Sequence, residues 1–132
     1  MEATFDGIIR ENKQADYQEA FIPSENPQNH ASNLLELSNG DILCVWFSGT
    51  QEGVSDISVF MSRLNKGESA WSRPVQLSFD TTRSEQNPVL FEDPDGTLWL
   101  MYTAQKAGIR IRPLYVIENQ RIRVILGLTF SL

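Results

Sequence analysis

His30 is the sole histidine of the chain. An imidazole with an ordinary pKa near neutrality suits acid/base catalysis or a hydrogen bond to a substrate hydroxyl. The alternative is a loop histidine that caps a strand. Two carboxylates follow in the polar stretch Gln51-Glu-Gly-Val-Ser-Asp56. Glu52 or Asp56 could supply an acid/base group, while Asp56 equally suits backbone donors at a strand start and Glu52 a solvated surface. Arg83, with Glu85 close by, could contact an acidic ligand group or form an ordinary ion pair. Cys44 is the only cysteine and lies inside an apolar run, so the chain has no internal disulfide and no cysteine-based metal site. No metal-ligand cluster is visible, and no metal or other cofactor is expected.

These residues need a scaffold, and the chain supplies one in duplicate. Residues 30–47 read as strand, tight turn and strand. Leu34, Leu35 and Leu37 precede Ser38-Asn-Gly-Asp41, whose Asn-Gly signals a hairpin with positive φ, and Ile42, Leu43, Val45, Trp46 and Phe47 follow it. The phrase returns as Pro88-Val-Leu-Phe91, Glu92-Asp-Pro-Asp-Gly-Thr97 and Leu98-Trp-Leu-Met-Tyr102, with Gly96 placed 56 residues after Gly40. A period of that size points to a repeating all-β unit of the propeller-blade kind. Asp56–Ser62 alternates as a third strand, and Trp71–Leu77 suits an edge strand that tolerates Pro74. The predicted blade spans about 30–77, with turns at Asn39-Gly40 and near Lys66-Gly67. Residues 79–86 are expected to loop into a partial second blade at about 86–108. Before the first blade, Phe5–Arg10 reads as a short edge strand, and a short helix is the alternative to a loop for 13–20. Trp46, Trp71, Trp99 and Tyr102 fit blade core better than stacking platforms.

Composition narrows the partners. A 132-residue chain with 41% hydrophobic and 21% charged residues is that of one modest globular domain. Its formal charge of −6 argues against nucleic acid and anionic membrane as partners. The first residues lack a basic start followed by an apolar run, so a cytoplasmic location is expected.

Ser62-Arg-Leu-Asn-Lys-Gly-Glu-Ser-Ala-Trp71 resembles a degenerate Asp-box, the Ser-x-Asp-x-Gly-x-Thr-Trp turn of bacterial neuraminidase repeats, with Asn65 near the place of the Asp. Trp71-Ser-x-Pro74 is similar to the strand that follows such turns. Residues from about Phe21 to Gly108 thus resemble the beginning of a sialidase-like six-bladed propeller. The resemblance implies an all-β fold of antiparallel four-stranded blades, here an incomplete propeller of about one and a half. It also implies a site where loops gather at one end of the axis, near His30, Gln51 to Asp56, Arg83 to Asn87, and Gln105 to Lys106. On that placement His30, Asp56 and Glu52 are candidate catalytic residues. Arg83, Glu85, Gln51, Gln105 and Lys106 are candidate substrate contacts.

The implied function is an exo-glycosidase hydrolysing terminal sugars, with a glycan or oligosaccharide as partner. A propeller polysaccharide lyase and a non-catalytic glycan-binding propeller are the alternatives. Sialidases open with Phe-Arg-Ile-Pro, whereas Phe21-Ile22-Pro23 lacks the arginine that would begin their carboxylate-binding triad.

Residues 109–132 break the pattern. Seven Lys or Arg and sixteen Asp or Glu precede Ile109, but four Arg and a single acid, Glu118, follow Gly108. Read one base earlier, the genetic code permits Ser at Gln120, Asp at Ile122, Gly at Val124, Thr at Leu126 and Trp at Gly127. That spells a second Asp-box at the expected place, so residues 109–132 are expected to be a frameshifted tail. An open, aggregation-prone fragment, inactive alone, is the corresponding expectation.

Overall fold

The structure, a computed structural model, describes residues 4–107 and, beyond them, the backbone of two strands, 114–119 and 125–126. The described residues contain strands and turns and no helix. β1 (Arg10–Glu11) and β2 (Gln18–Glu19) pair as a small antiparallel ribbon. The turn between them takes the place of the possible helix over 13–20, with the Asn12 side-chain oxygen accepting the Gln14 N–H.

β3 (Gln28–Glu36), β4 (Ile42–Gly49), β5 (Ser58–Leu64) and β6 (Val75–Gln76) form the first four-stranded antiparallel sheet in sequence order. β7 (Arg83–Glu92), β8 (Leu98–Lys106), β9 (Leu114–Asn119) and β10 (Ile125–Leu126) form the second. The chain is therefore all-β, two antiparallel four-stranded sheets that do not close into a ring, as an incomplete propeller requires. The tail provides the two outer strands of the second sheet. Of the hidden Asp-box positions, 120, 122, 124 and 127 lie outside the described residues.

The repeat is reproduced bond for bond. In the first turn Leu37 N–H donates to Asp41 O and Gly40 N–H to Leu37 O, both at 2.8 Å. Fifty-six residues on, Asp93 N–H donates to Thr97 O at 2.9 Å and Gly96 N–H to Asp93 O at 3.0 Å. Gly40 and Gly96 have φ of 90° and 85°, the left-handed region that glycine enters without a Cβ clash.

Alternation along β4 sends Leu43 and Val45 toward the second sheet, where they join Val59, Leu90, Leu98, Leu100, Tyr102 and Ala104 in one buried core. Cys44 and Trp46 face the other way and are also buried. Burial pushes the Cys44 thiol pKa up, which fits an inert thiol. Three contacts fix how the sheets stack. Glu85 N–H donates to Ile57 O at 3.1 Å and Leu90 N–H to Asn33 Oδ1 at 3.0 Å. The Ser38 N–H and hydroxyl donate to the Glu92 carboxylate at 2.7 and 2.9 Å. The start of β7 thus lies beside the start of β5, and its end beside the first turn.

The outer edge of the first sheet is shared. Of the expected edge strand, Val75–Gln76 pair with β5 as strand residues, Ser72 N–H donates to Arg63 O at 2.8 Å and Leu77 N–H to Val59 O at 2.7 Å, and Pro74 between them has no N–H to give. The stretch before it is held by the N-terminal segment: Ile9 N–H donates to Ser69 O at 2.8 Å and Trp71 N–H to Gly7 O at 2.9 Å. The expected edge strand over 5–10 is reduced there to one antiparallel bridge, Ile8 with Ala70.

The Ser62–Trp71 hairpin is held from both sides. Ser62 Oγ donates to Ser72 O at 2.6 Å, while Ser72 Oγ accepts the Arg63 N–H at 2.9 Å. Asn65 turns to Glu68, and the carboxylate that holds the turn backbone comes from Asp41, which accepts the Lys66 N–H at 2.8 Å and the Arg63 guanidinium. The Lys66 N–H, and after it Arg63, keep the Asp41 carboxyl below its ordinary 3.8. The Arg10 guanidinium does the same to Asp6, down to about 2. Both carboxylates ionise more readily folded than unfolded, so their contribution is complete above pH 3.8 and is lost as pH falls through the folded values. The melting temperature is expected to drop through this acid range, and to drop less in Asp41→Asn. Parallel thermal melts of the two proteins from neutral to strongly acid pH check it, and equal slopes would contradict it.

Candidate functional site

The inter-sheet bonds bring the start of β3, the β4–β5 loop, the start of β7 and the end of β8 to one end of the two sheets. Every candidate residue belongs to one of these four places. His30 lies inside β3 rather than before it, opposite Phe47, and stacks on that ring with centroids 5.2 Å apart and planes inclined by 26°. Its Nε2 is 3.5 Å from Gln28 Oε1, and the same oxygen accepts the Glu52 N–H at 2.9 Å. Gln28 therefore ties the β4–β5 loop to the strand that carries the imidazole.

Just past His30 the strand bulges, and Ala31 takes φ of 50°. β7 bulges at the equivalent position, where Asn87 takes φ of 53°. A left-handed alanine costs on the order of 1 kcal/mol, and bulges re-aim side chains at sheet ends. By this equivalence Gln86 is the second-sheet counterpart of His30. Its amide donates to Ser84 Oγ at 2.9 Å, and its Oε1 accepts from Gln105 Nε2 at 3.3 Å.

The remaining candidates divide into two groups. Gln51, Glu52 and Lys106 are exposed at the sheet end, and Arg83 is half-buried beside them, in β7, opposite Lys106. Arg83 reaches Asp80 at 3.6 Å and Ala104 O at 3.4 Å. Asp56 instead turns both carboxylate oxygens to the Thr50 N–H, at 3.2 and 3.3 Å, and closes its own loop. Glu85, expected in a loop as a substrate contact, lies within β7 with 2% of its surface exposed, opposite Ala104 in the core. Arg83, Glu85, Gln105 and Lys106 are strand residues because β7 and β8 run farther toward this end than an apolar pattern reveals.

A model of the BNR repeat-like domain matches residues 40–114. The chain belongs to the BNR repeat-like family. No curated protein matches it. BNR repeat-like domains occur in sialidases and other glycan-active proteins.

Within this BNR repeat-like chain the structure adds two residues that sequence reasoning missed. Gln28 and Asn29 stand among polar loop-type residues and gave no signal. Asn29 Oδ1 accepts from Trp46 Nε1 at 3.1 Å, Ser48 Oγ at 2.8 Å and Ser24 Oγ at 2.7 Å, so Trp46 spends its indole N–H inside the fold. Gln86 lies inside the expected stretch Arg83 to Asn87 but was not singled out there, although it stands 56 residues after His30. A cavity of about 600 Å³ lies next to this end, between the N-terminal segment and the first sheet, lined by Phe21, Ile22, Asn29, His30, Ala31 and Trp46 among others. Among the described residues no group of three or more His, Cys, Asp or Glu could hold a metal ion.

The β4–β5 loop also depends on Gly49. A Cβ there would stand 2.8 Å from Asp56 O and 2.9 Å from Asp56 Oδ1. Gly49→Ala is expected to destabilise the protein by about 1–3 kcal/mol and to loosen the loop under Gln28. Urea unfolding checks the first effect, and amide exchange at Glu52 the second.

Proposed function

We propose that this BNR repeat-like chain contributes part of a glycan site, of the exo-glycosidase type that hydrolyses terminal sugars. The observation that carries the proposal is the gathering of His30, Glu52, Arg83, Gln105 and Lys106 at one end of both sheets. His30 serves there as acid/base, with Glu52 as the carboxylate on the neighbouring loop. Arg83 and Lys106 meet an anionic or hydroxyl-rich sugar, and Gln51 and Gln105 supply amides for its hydroxyls. Asp56 acts by closing the loop, and Glu85 by its place in the interior.

A binding site without turnover is the second reading, favoured by the engagement of both Asp56 oxygens with Thr50. Glu52 and Asp56 are both exposed on the β4–β5 loop, and Asp56 alone is turned to the Thr50 N–H. The test uses the protein read from the restored frame, assayed for release from a panel of aryl glycosides and for calorimetric binding of the same sugars. Release is the expected result. Binding without release selects the second reading, and neither would refute both. Sequencing the parent DNA checks the frame itself: an Asp-box must stand in the alternative reading.

A further inference from the structure

The chain has three tryptophans, and two of them spend their indole N–H inside the fold. Trp46 donates to Asn29 Oδ1 at 3.1 Å and Trp99 to Asp93 Oδ2 at 2.9 Å. Trp71, expected in blade core, is half-buried, and its indole N–H has no acceptor among the described residues. Its backbone is firmly held. The Trp71 N–H donates to Gly7 O at 2.9 Å, and a Cβ on Gly7, whose φ is 75°, would stand 3.0 Å from Trp71 O. The N-terminal segment thus fixes this residue and leaves its polar edge unused.

Trp71 lines a second cavity, of about 630 Å³, between the N-terminal segment and the outer strands of the first sheet. Glu25, Phe60, Arg73 and Gln76 line it too, and none of the candidates at the sheet end does. Phe60 is braced by its stack on Trp46, with centroids 6.4 Å apart. The Gln76 amide donates to Ser78 O at 2.8 Å and to Ser58 Oγ at 3.3 Å, so its Oε1 remains as an acceptor. Neither Arg73 nor Glu25 forms an ion pair among the described residues. Asp6, the other charge in the lining, is bound by the Arg10 guanidinium at 2.9 and 2.7 Å. One positive and one negative group are therefore left to meet a ligand.

Two rings, an indole N–H, an amide oxygen, a guanidinium and a carboxylate around one cavity suit a ligand with apolar faces and a rim of hydroxyls. A sugar ring has both, since its C–H faces lie against aromatic rings and its hydroxyls donate as well as accept. The free charges of the lining cancel, which favours a neutral sugar. A proline-rich peptide also packs on aromatic rings. Proline has no N–H, however, and would leave Gln76 Oε1 and the Glu25 carboxylate without donors. We propose that this cavity binds a neutral oligosaccharide of β-linked pyranoses, whose equatorial hydroxyls leave flat C–H faces. It is a second sugar site, apart from the sheet end, and it binds without cleaving. The proposal stands without the sheet-end reading.

Nuclear magnetic resonance of the isotope-labelled chain, titrated with cellobiose and separately with N,N′-diacetylchitobiose, tests it. Trp71→Phe, which keeps a ring and removes the N–H, assigns the indole signal. That signal is expected to move saturably with at least one of the sugars, while the Trp99 indole signal stays in place. Arg73→Met and Glu25→Met alter exposed side chains, and the unchanged Trp99 signal shows that each variant is folded. Each is expected to weaken binding about tenfold, the loss of one charged hydrogen bond. A Trp71 signal that neither sugar moves, or binding that both substitutions leave intact, would overturn the proposal. Binding lost with His30→Ala would overturn it by placing the sugar at the sheet end. A proline-rich peptide that moves the Trp71 signal where the sugars do not would overturn it as well.

Discussion

Leu43→Ala is expected to destabilise the protein by about 2–5 kcal/mol and to weaken both sheets at once. Leu43 is fully buried and packs in the cluster formed with Leu90, Leu98, Leu100 and Tyr102 of the other sheet. Removing its side chain leaves a cavity that neither sheet can collapse to fill without leaving the other. Leu34, nine residues earlier in the same hairpin, is 63% exposed, and Leu34→Ala should stay within about 0.5 kcal/mol. Urea unfolding followed by tryptophan fluorescence and far-ultraviolet dichroism measures both. The expected result for Leu43→Ala is one shifted transition seen alike by the two probes. Equal losses for the two leucines, or probes that separate, would show that the sheets do not share a core.

The largest effect on activity is expected between this chain and a protein read in the alternative frame proposed after Gly108. A glycosidase site needs its groups positioned together around the substrate in a preorganised, water-poor setting. His30, Gln51, Glu52 and Lys106 are exposed in this chain. The 132-residue chain should therefore show no release from any glycoside above background. In the restored protein, His30→Ala should lower kcat by a factor on the order of 10²–10⁴, the usual reach of one acid/base group. Stopped assays on the same aryl glycosides read both. Turnover by the short chain that falls with His30→Ala would contradict the first expectation, and an unaffected His30→Ala would contradict the second.

The hairpins were legible because their signals are local. Gly40 and Gly96, which follow Asn39 and Asp95, take positive φ, and the apolar alternation on either side of each turn sets the strand faces. The 56-residue spacing carried the second sheet in the same way. What stayed hidden is the polar part of the strands. Arg83-Ser-Glu-Gln-Asn87 has the composition of a loop, yet Ser84, Glu85 and Gln86 are buried in β7. Their strand is specified by a neighbour, through the Glu85 N–H to Ile57 O bond, and not by their own hydrophobicity. The candidate site was legible as a place in the fold and less so in the orientation of its side chains. His30, Glu52, Arg83 and Lys106 reach the expected end, whereas the orientation of Asp56 and the depth of Glu85 depend on packing across loops and sheets. Gln28, 24 residues before Glu52, joins it to His30, a pairing that no local pattern encodes.

The equal placement of the two glycine turns has a genetic consequence. Gly40 and Gly96 occupy the same point of the same hydrogen-bonded turn, and each is followed by a strand of matching alternation. An unequal crossover that joins Gly40 to Thr97 would delete 56 residues and still leave β3 facing β8 in its proper register, since the seam falls in a turn. The reciprocal product would gain a whole sheet. Genes of this kind can therefore change their number of sheets by single recombination events, each yielding a chain whose hairpins remain intact.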